Sequence, residues 1–298
     1  MPTLKIDGGE VATTGPMTIL EAAKSAGILI PHFCYHPGLG IVGQCRMCQV
    51  EVEKMPKLAT ACNTPVADGM VVSTNSPRVD KARRAVLEFY LLNHPLDCPI
   101  CDRGGECPLQ DYTLKYGPGE SRSVEPKVQR AKHVILGPHI VFDAERCILC
   151  TRCVRFCHEV PRTGELGIFA RGDRSEINLF PGKVLDTAYS GNVIDLCPVG
   201  ALTSRQYRFQ SRPWDLVRHT ESVCPLCSNG CNVILDVRHR QTGEEILRIR
   251  PRENQAVNRW WMCDEGRFTF GYHHDASRLR VALRREGQGH VEAPLPDL

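Results

Sequence analysis

The sequence has no apolar run approaching the roughly 18 residues that span a bilayer. Its longest apolar stretch, around Val134 to Phe142, is broken by Gly137 and Pro138, so no membrane insertion is expected. The opening residues, Met1-Pro2-Thr3-Leu4-Lys5-Ile6-Asp7, lack the uninterrupted apolar core of a secretory signal. A soluble, non-exported protein is the expectation. An excess of one charge is missing too: 37 Lys and Arg against 34 Asp and Glu leave a formal charge of +3. That gives no whole-molecule case for a nucleic-acid partner. There is no P-loop, no GxGxxG fingerprint and no Ser/His/Asp arrangement, and paired catalytic carboxylates cannot be picked out. No catalytic residue is predicted. What remains is ordinary for folded chain, with 42% hydrophobic and 24% charged residues, and the length suggests two domains or several smaller ones.

Cysteine is abundant, with 16 in 298 residues. Without a secretory signal, disulfides explain them poorly, so their spacing points to metal chemistry. They fall into four clumps, each containing a C-x2-C pair that sets two thiolates around one metal or cluster edge. The pair alone does not separate zinc from iron–sulfur. The third clump, Cys147, Cys150 and Cys153, is C-x2-C-x2-C, which suits three irons of a 4Fe–4S cubane and is unusual for one zinc. A ferredoxin run would continue C-x3-C-P. Cys157 has that spacing but precedes His158, whereas a Cys-Pro stands apart at Cys197-Pro198. Cys197 is therefore read as the fourth ligand and Cys157 as a spare buried thiol.

The second clump, Cys98, Cys101 and Cys107, leaves one coordination position open, which His94 could fill with Pro95 holding the backbone extended. The first, Cys34, Cys45, Cys48 and Cys62, keeps the central pair of plant-type 2Fe–2S ferredoxins with a longer first gap. Gly38, Gly40 and Gly43 lighten its loop, letting backbone N–H groups approach sulfur. The last, Cys224, Cys227, Cys231 and Cys263, has a zinc ribbon as its rival reading, with Trp260-Trp261-Met262 as apolar cover.

Local patterns fill in the rest. A hairpin is expected around Leu4 to Ile6 with a turn at Gly8-Gly9, then a helix from Ile19 capped by Thr18 and stopped by Gly27. A second helix spans Asp80 to Leu92, with Val79, Ala82, Val86, Phe89 and Tyr90 on its apolar face and Lys81, Arg83 and Arg84 opposite. Gly117 to Ser121 reads as a linker. Helices are expected after Cys150 and around Ala201 to Gln206. Asn232 to Arg250 alternates like two strands turning at Gln241-Thr242-Gly243. Arg205, Arg208, Arg212 and Arg218 read as packing against another subunit, and Leu283 to Leu298 as a loose tail docking on a partner.

In order, these motifs resemble the N-terminal half of the large iron–sulfur subunit of NADH-quinone oxidoreductase, the 75 kDa subunit family of respiratory complex I. The stretches that carry the resemblance are Pro31-His32-Phe33-Cys34-Tyr35-His36-Pro37, Cys98 to Gln110, Arg146 to Phe156, and Cys263-Asp264-Glu265-Gly266-Arg267-Phe268. It implies an α+β chain in five parts. Residues 1–78 would form a β-grasp 2Fe–2S ferredoxin domain on Cys34, Cys45, Cys48 and Cys62. Residues 79–117 would hold a 4Fe–4S cluster on His94, Cys98, Cys101 and Cys107. Residues 118–216 would be a ferredoxin-like domain with a 4Fe–4S cluster on Cys147, Cys150, Cys153 and Cys197. Residues 217–273 would be a small, mainly β domain of molybdopterin-oxidoreductase type, with a third 4Fe–4S cluster on Cys224, Cys227, Cys231 and Cys263. Residues 274–298 would be the tail.

The implied function is electron relay without a substrate site, from an NADH/FMN-binding flavoprotein toward quinone. The implied partners are that flavoprotein, a small 2Fe–2S subunit, a membrane-proximal 4Fe–4S subunit and the quinone-site subunits. The implied location is peripheral, on the cytoplasmic side of the bacterial inner membrane. Two departures stand out. Family members usually continue into a large molybdopterin-oxidoreductase-like domain where this sequence stops, so a short form is expected, or a separate chain supplying that part. Related members also tend to carry a basic residue where Glu265 stands. One alternative is the electron-transfer subunit of an NAD-linked hydrogenase or formate dehydrogenase, with nickel, molybdenum or tungsten in its complex. A remote one is a zinc-stabilised interaction module, which would be colourless.

Overall fold

The computed structural model describes residues 2–241, 243–279 and 281–293. Asp7 and Gly8 set the first turn, both at positive φ (50° and 85°), the conformation of a two-residue hairpin loop. It folds β1 (Thr3–Ile6) back on β2 (Gly9–Ala12), with Ile6 opposite Gly9. α1 (Ile19–Ser25) begins with a capping box: the Thr18 hydroxyl accepts from the Glu21 N–H while the Glu21 carboxylate accepts from the Thr18 N–H. β3 (Gln49–Val52), β4 (Ala59–Thr60) and β5 (Val71–Ser73) complete a five-stranded sheet in the order β2-β1-β5-β3-β4. β5 runs parallel to β1, and the sheet buries Leu4, Ile6, Val50, Val52 and Val72 against Ile19, Leu20, Ala22 and Ala23 of α1.

α2 (Pro77–Leu92) starts at Ser76, whose side chain accepts from the Val79 N–H, with Pro77 in the first turn where no amide partner is needed. Its register differs from the expected one. Val79, Arg83 and Leu87 are buried, whereas Phe89 is 79% exposed. Arg83, expected on a solvated basic face, donates to the Gln49 carbonyl at 3.2 Å and lies 5.2 Å over the Tyr116 ring. Four-residue spacing sets the packed face, and a guanidinium can enter it where a carbonyl and an aromatic ring receive it.

Next come α3 (Pro108–Tyr116), β6 (Val134–Ile135), β7 (Ile140–Phe142), α4 (Arg152–Glu159), β8 (Leu166–Phe169), β9 (Glu176–Leu179), α5 (Asn192–Leu196) and β10 (Leu202–Ser204). The helix expected around Ala201 to Gln206 is instead β10, antiparallel to β7 with Leu202 opposite Phe142. The partner strand Ile140-Val141-Phe142 offers a buried edge that local propensity does not anticipate. α2, α3, α4 and α5 enclose the largest core together with β7 and β10.

β11 (Leu216–Val223), β12 (Asn232–Arg240) and β13 (Gly243–Pro251) form an antiparallel meander. Of its expected turn, Thr242 lies outside the described residues. α6 (Asp264–Phe268) packs on β13. Beyond it, β14 (Leu283–Glu286) and β15 (Gly289–Glu292) make an exposed hairpin where a loose tail was expected, Leu283 opposite Glu292. Residues 294–298 lie outside the described ones.

Candidate metal-cluster sites

The first site is the most enclosed. Cys34, Cys45, Cys48 and Cys62 are all buried, at 3% exposure or less. Cys45 and Cys48 lie on the loop entering β3, where Arg46 at φ 56° turns the chain between them. Cys62 lies two residues past the end of β4. The Phe33 N–H donates to Cys45 Sγ at 3.4 Å. Hydrogen bonds from the Cys45 and Cys62 thiols hold the Cys34 pKa low against its burial, and the N–H groups of Cys45 and Gln44 add to the effect. Both N–H groups lie just past Gly43, as the glycine loop suggested. Gly38 and Gly40 serve other neighbours: a Cβ on Gly38 would fall 2.6 Å from Trp260, and the Gly40 N–H donates to Glu159 at 2.7 Å.

The second site assembles around the end of α2. The His94 N–H donates to Leu91 O at 3.2 Å. Cys98 opens a short 3-10 turn and Cys107 stands at the N-cap of α3 with Pro108 after it. His94, Cys98 and Cys107 line one cavity with Leu92, Leu96 and Leu109. Cys101 turns away from it toward Gly200, where a Cβ would fall 2.0 Å from its Sγ. Burial, helped by the charge of Arg146, lowers the His94 pKa to about 4. That keeps the imidazole neutral, the form in which a ring nitrogen can bind metal. Arg212 donates to the carbonyls of Cys98 and Cys101, both at 2.8 Å. Arg205 and Arg208 likewise bond Pro138 O and Thr203 Oγ1, and Arg218 pairs with Glu244. All four arginines thus make bonds within their own chain.

At the third site Cys147, Cys150, Cys153 and Cys197 line one cavity, closed by Phe142, Ile148, Ile177, Val199 and Leu202. Leu149 and Thr151, at φ 53° and 61°, coil the intervening loop, and the Leu149 N–H donates to Cys147 Sγ at 3.4 Å. Burial pushes the Cys150 pKa up to about 11 and that of Cys147 higher still. Cys157 is not a wall residue of this cavity. It is fully buried on α4, where burial and the Glu165 carboxyl push its pKa up to about 12.

The fourth site is the most open. Cys224 is buried, Cys231 and Cys263 are half-buried and Cys227 is exposed. Cys263 caps α6, its Sγ accepting from the Gly266 N–H at 3.4 Å. A Cβ on Gly266 would lie 3.0 Å from Cys224 Sγ and 3.6 Å from Cys263 Sγ. Met262 covers this site with Val233, Ile249 and Phe270. The two tryptophans do not. Trp261 packs 5.0 Å from Phe156, and both rings contact His36. Among the described residues, no three His, Cys, Asp or Glu side chains converge on a position for a single metal ion. The donors are soft thiols and one imidazole, a chemistry that suits iron–sulfur groups.

Four family models match successive parts of the chain. They are a 2Fe-2S iron-sulfur cluster binding domain over 1–77, the NADH-ubiquinone oxidoreductase-G iron-sulfur binding region over 83–122, the ferredoxin-like domain of NADH-quinone oxidoreductase subunit 3 over 137–203, and the NADH-ubiquinone oxidoreductase NDSU1/NuoG-like 4Fe-4S domain over 217–271. The NuoG-type subunit of NADH-quinone oxidoreductase from Rickettsia felis is 46% identical over 270 residues, 91% of this chain. The chain belongs to the family of the large iron–sulfur subunit of NADH-quinone oxidoreductase. The 75 kDa NADH-ubiquinone oxidoreductase subunit of Reclinomonas americana is 50% identical over 91% of the chain, and the mitochondrial 78 kDa subunit of Neurospora crassa 48% over 96%. The chain spans 38–39% of the length of these curated relatives. A solved chain of an NAD+-reducing [NiFe]-hydrogenase shares the fold at a TM-score of 0.63 and 31% identity, over 72% of this chain and 93% of its own.

Proposed function

We propose that this chain is the iron–sulfur electron-relay part of such a large subunit, carrying electrons from an NADH/FMN flavoprotein toward quinone. The observation that supports it most is the succession of four donor sets in one chain, matched in order by a 2Fe-2S binding domain and three domains named for this oxidoreductase. The clusters would supply one-electron transfer. The protein's work is to place the donors, exclude water and set local charge.

The first set would hold a 2Fe–2S cluster in a β-grasp domain. His94 with Cys98, Cys101 and Cys107, then Cys147, Cys150, Cys153 and Cys197, then Cys224, Cys227, Cys231 and Cys263 would each hold a 4Fe–4S cluster. His94 contributes a neutral donor where a fourth thiolate would add negative charge. The partners would be the flavoprotein, the small 2Fe–2S subunit, the membrane-proximal 4Fe–4S subunit and the quinone-site subunits. Its place would be peripheral on the membrane complex. No helix among the described residues is long and apolar enough to cross a membrane.

Anaerobic iron, zinc and sulfide analysis with low-temperature EPR of the reduced chain tests this reading. One 2Fe–2S and three 4Fe–4S clusters predict about fourteen irons and as many sulfides. About ten irons would remove the fourth cluster, and zinc in place of iron would sink the redox reading. The hydrogenase likeness supports a second reading, a subunit of an NAD-linked hydrogenase, which nickel in the purified complex would favour.

A further inference from the structure

Two cations join the first site to the third. Arg152 and Arg155 project from α4, the helix that carries Cys153, and reach the loop after Cys34. Arg155 is buried; its Nη2 donates to the Cys34 carbonyl and its Nη1 to the Gly40 carbonyl at 2.5 Å. Arg152 donates through Nη2 to the Tyr35 carbonyl and through Nη1 to the Leu196 carbonyl at 3.2 Å. Leu196 immediately precedes Cys197. The two side chains thus grip the backbone at Cys34, just after it, and just before Cys197.

Their charge is not matched where they lie. Among the described residues, neither guanidinium has a carboxylate within the 4.0 Å of an ion pair. Arg146, Arg248 and Arg267 each have one, through Asp97, Glu106 and Asp195. The Arg152 Nε is shielded from solvent without a partner. Carbonyl oxygens satisfy guanidinium donors but leave the charge, and arginine does not shed its proton. The buried charge of Arg155, together with that of the half-buried Arg152, calls for an anion nearby. Arg152 lies between Cys150 and Cys153 in the chain, and the carbonyls it bonds adjoin Cys34 and Cys197, all members of the first and third donor sets.

We propose that Arg152 and Arg155 are positioning residues that hold the first and third sites in fixed relation and raise the reduction potentials of both clusters. The inference rests on the reading of these sites as iron–sulfur clusters. Each added electron makes a cluster more negative, so an enclosed cation favours the reduced state with little water to screen it. The forked guanidinium reaches two carbonyls at once, where an ammonium is a single point.

The test is a potentiometric titration followed by EPR on the full chain, loaded anaerobically with iron and sulfide. Wild type is compared with Arg155→Gln, Arg152→Gln, Arg155→Lys and Arg152→Lys. The expected result is a shift of the first- and third-site midpoints to more negative potential in the Gln variants, a smaller shift with Lys, and unmoved second- and fourth-site midpoints. Unchanged first- and third-site midpoints in loaded Gln variants would overturn the proposal, as would an equal shift of all four. Should a Gln variant lose both clusters, the Lys variant decides: retention supports the role of charge, and equal loss overturns it. A wild-type chain that takes up no iron and sulfide would fail earlier, and that failure belongs to the cluster reading itself.

Discussion

At Gly200 a single methyl group is enough to challenge the second site. Its Cβ would lie 2.0 Å from Cys101 Sγ, so either the sulfur or the Cys-Pro loop must move. Gly200→Ala should destabilise the chain by roughly 1–3 kcal/mol. It should also erase or distort the second-site EPR signal while the first-site signal persists; an unaltered second-site spectrum would show that Cys101 is free to yield. His94→Cys asks about charge instead. A fourth thiolate adds negative charge and should move that site to a more negative midpoint in a potentiometric titration. The candidate status of His94 was legible because three cysteines left a position open. The place of Cys197 in the cavity of Cys147, Cys150 and Cys153 was legible from its displaced Cys-Pro. Gly200 was not, because its crowding partner is distant in the chain, and neither was Arg83, whose burial needs the Gln49 carbonyl and the Tyr116 ring.

At the scale of elements, local chemistry was readable wherever an element is closed by its own residues. Thr18 and Gly27 mark both ends of α1, and alternation marks β12 and β13. β10 escaped because its strand character comes from pairing with β7. The charge inside the meander escaped for the same reason. Asp236 on β12 is fully buried, where it bonds His219, Arg248 and Arg250. Burial alone would raise its pKa, but the hydrogen bond from Arg250 and the charges of Arg248 and Arg250 hold it below the usual carboxylate value. The unfolded chain therefore takes up the proton first as pH falls. The stabilisation is present above the ordinary aspartate pKa of about 4 and is lost as pH drops through the lowered folded value. Asp236→Asn leaves two arginines facing a neutral amide, which should cost about 3–5 kcal/mol at pH 7. Thermal melts between pH 7 and 3 should show wild type losing its advantage over the variant; parallel curves would exclude Asp236 as the acid-sensitive group.

Across the whole molecule, the donor sets are not equally built into the protein. Cys34, Cys45, Cys150, Cys153 and Cys197 belong to the largest hydrophobic core, and Cys48 and Cys62 to the core of the first sheet. The fourth site has a small core of its own, with Cys224 among five buried residues. The tryptophans next to Cys263 hold that part against His36 and Phe156, and Arg248 ties β13 to Glu106 between Cys101 and Cys107. Because cluster binding energy is also folding energy, a site sunk in the main core should release iron only as that core opens. Cys98 and Cys227 are exposed, so a chelator can attack the second and fourth sites without global unfolding. Anaerobic incubation with a strong iron chelator, followed by EPR and near-ultraviolet circular dichroism, should show those two signals falling first with the aromatic signal largely intact. The first- and third-site signals should fall later, together with the circular dichroism. Loss of the first-site signal ahead of the fourth, with tertiary structure preserved, would mean that the main core opens locally around Cys34 without coming apart.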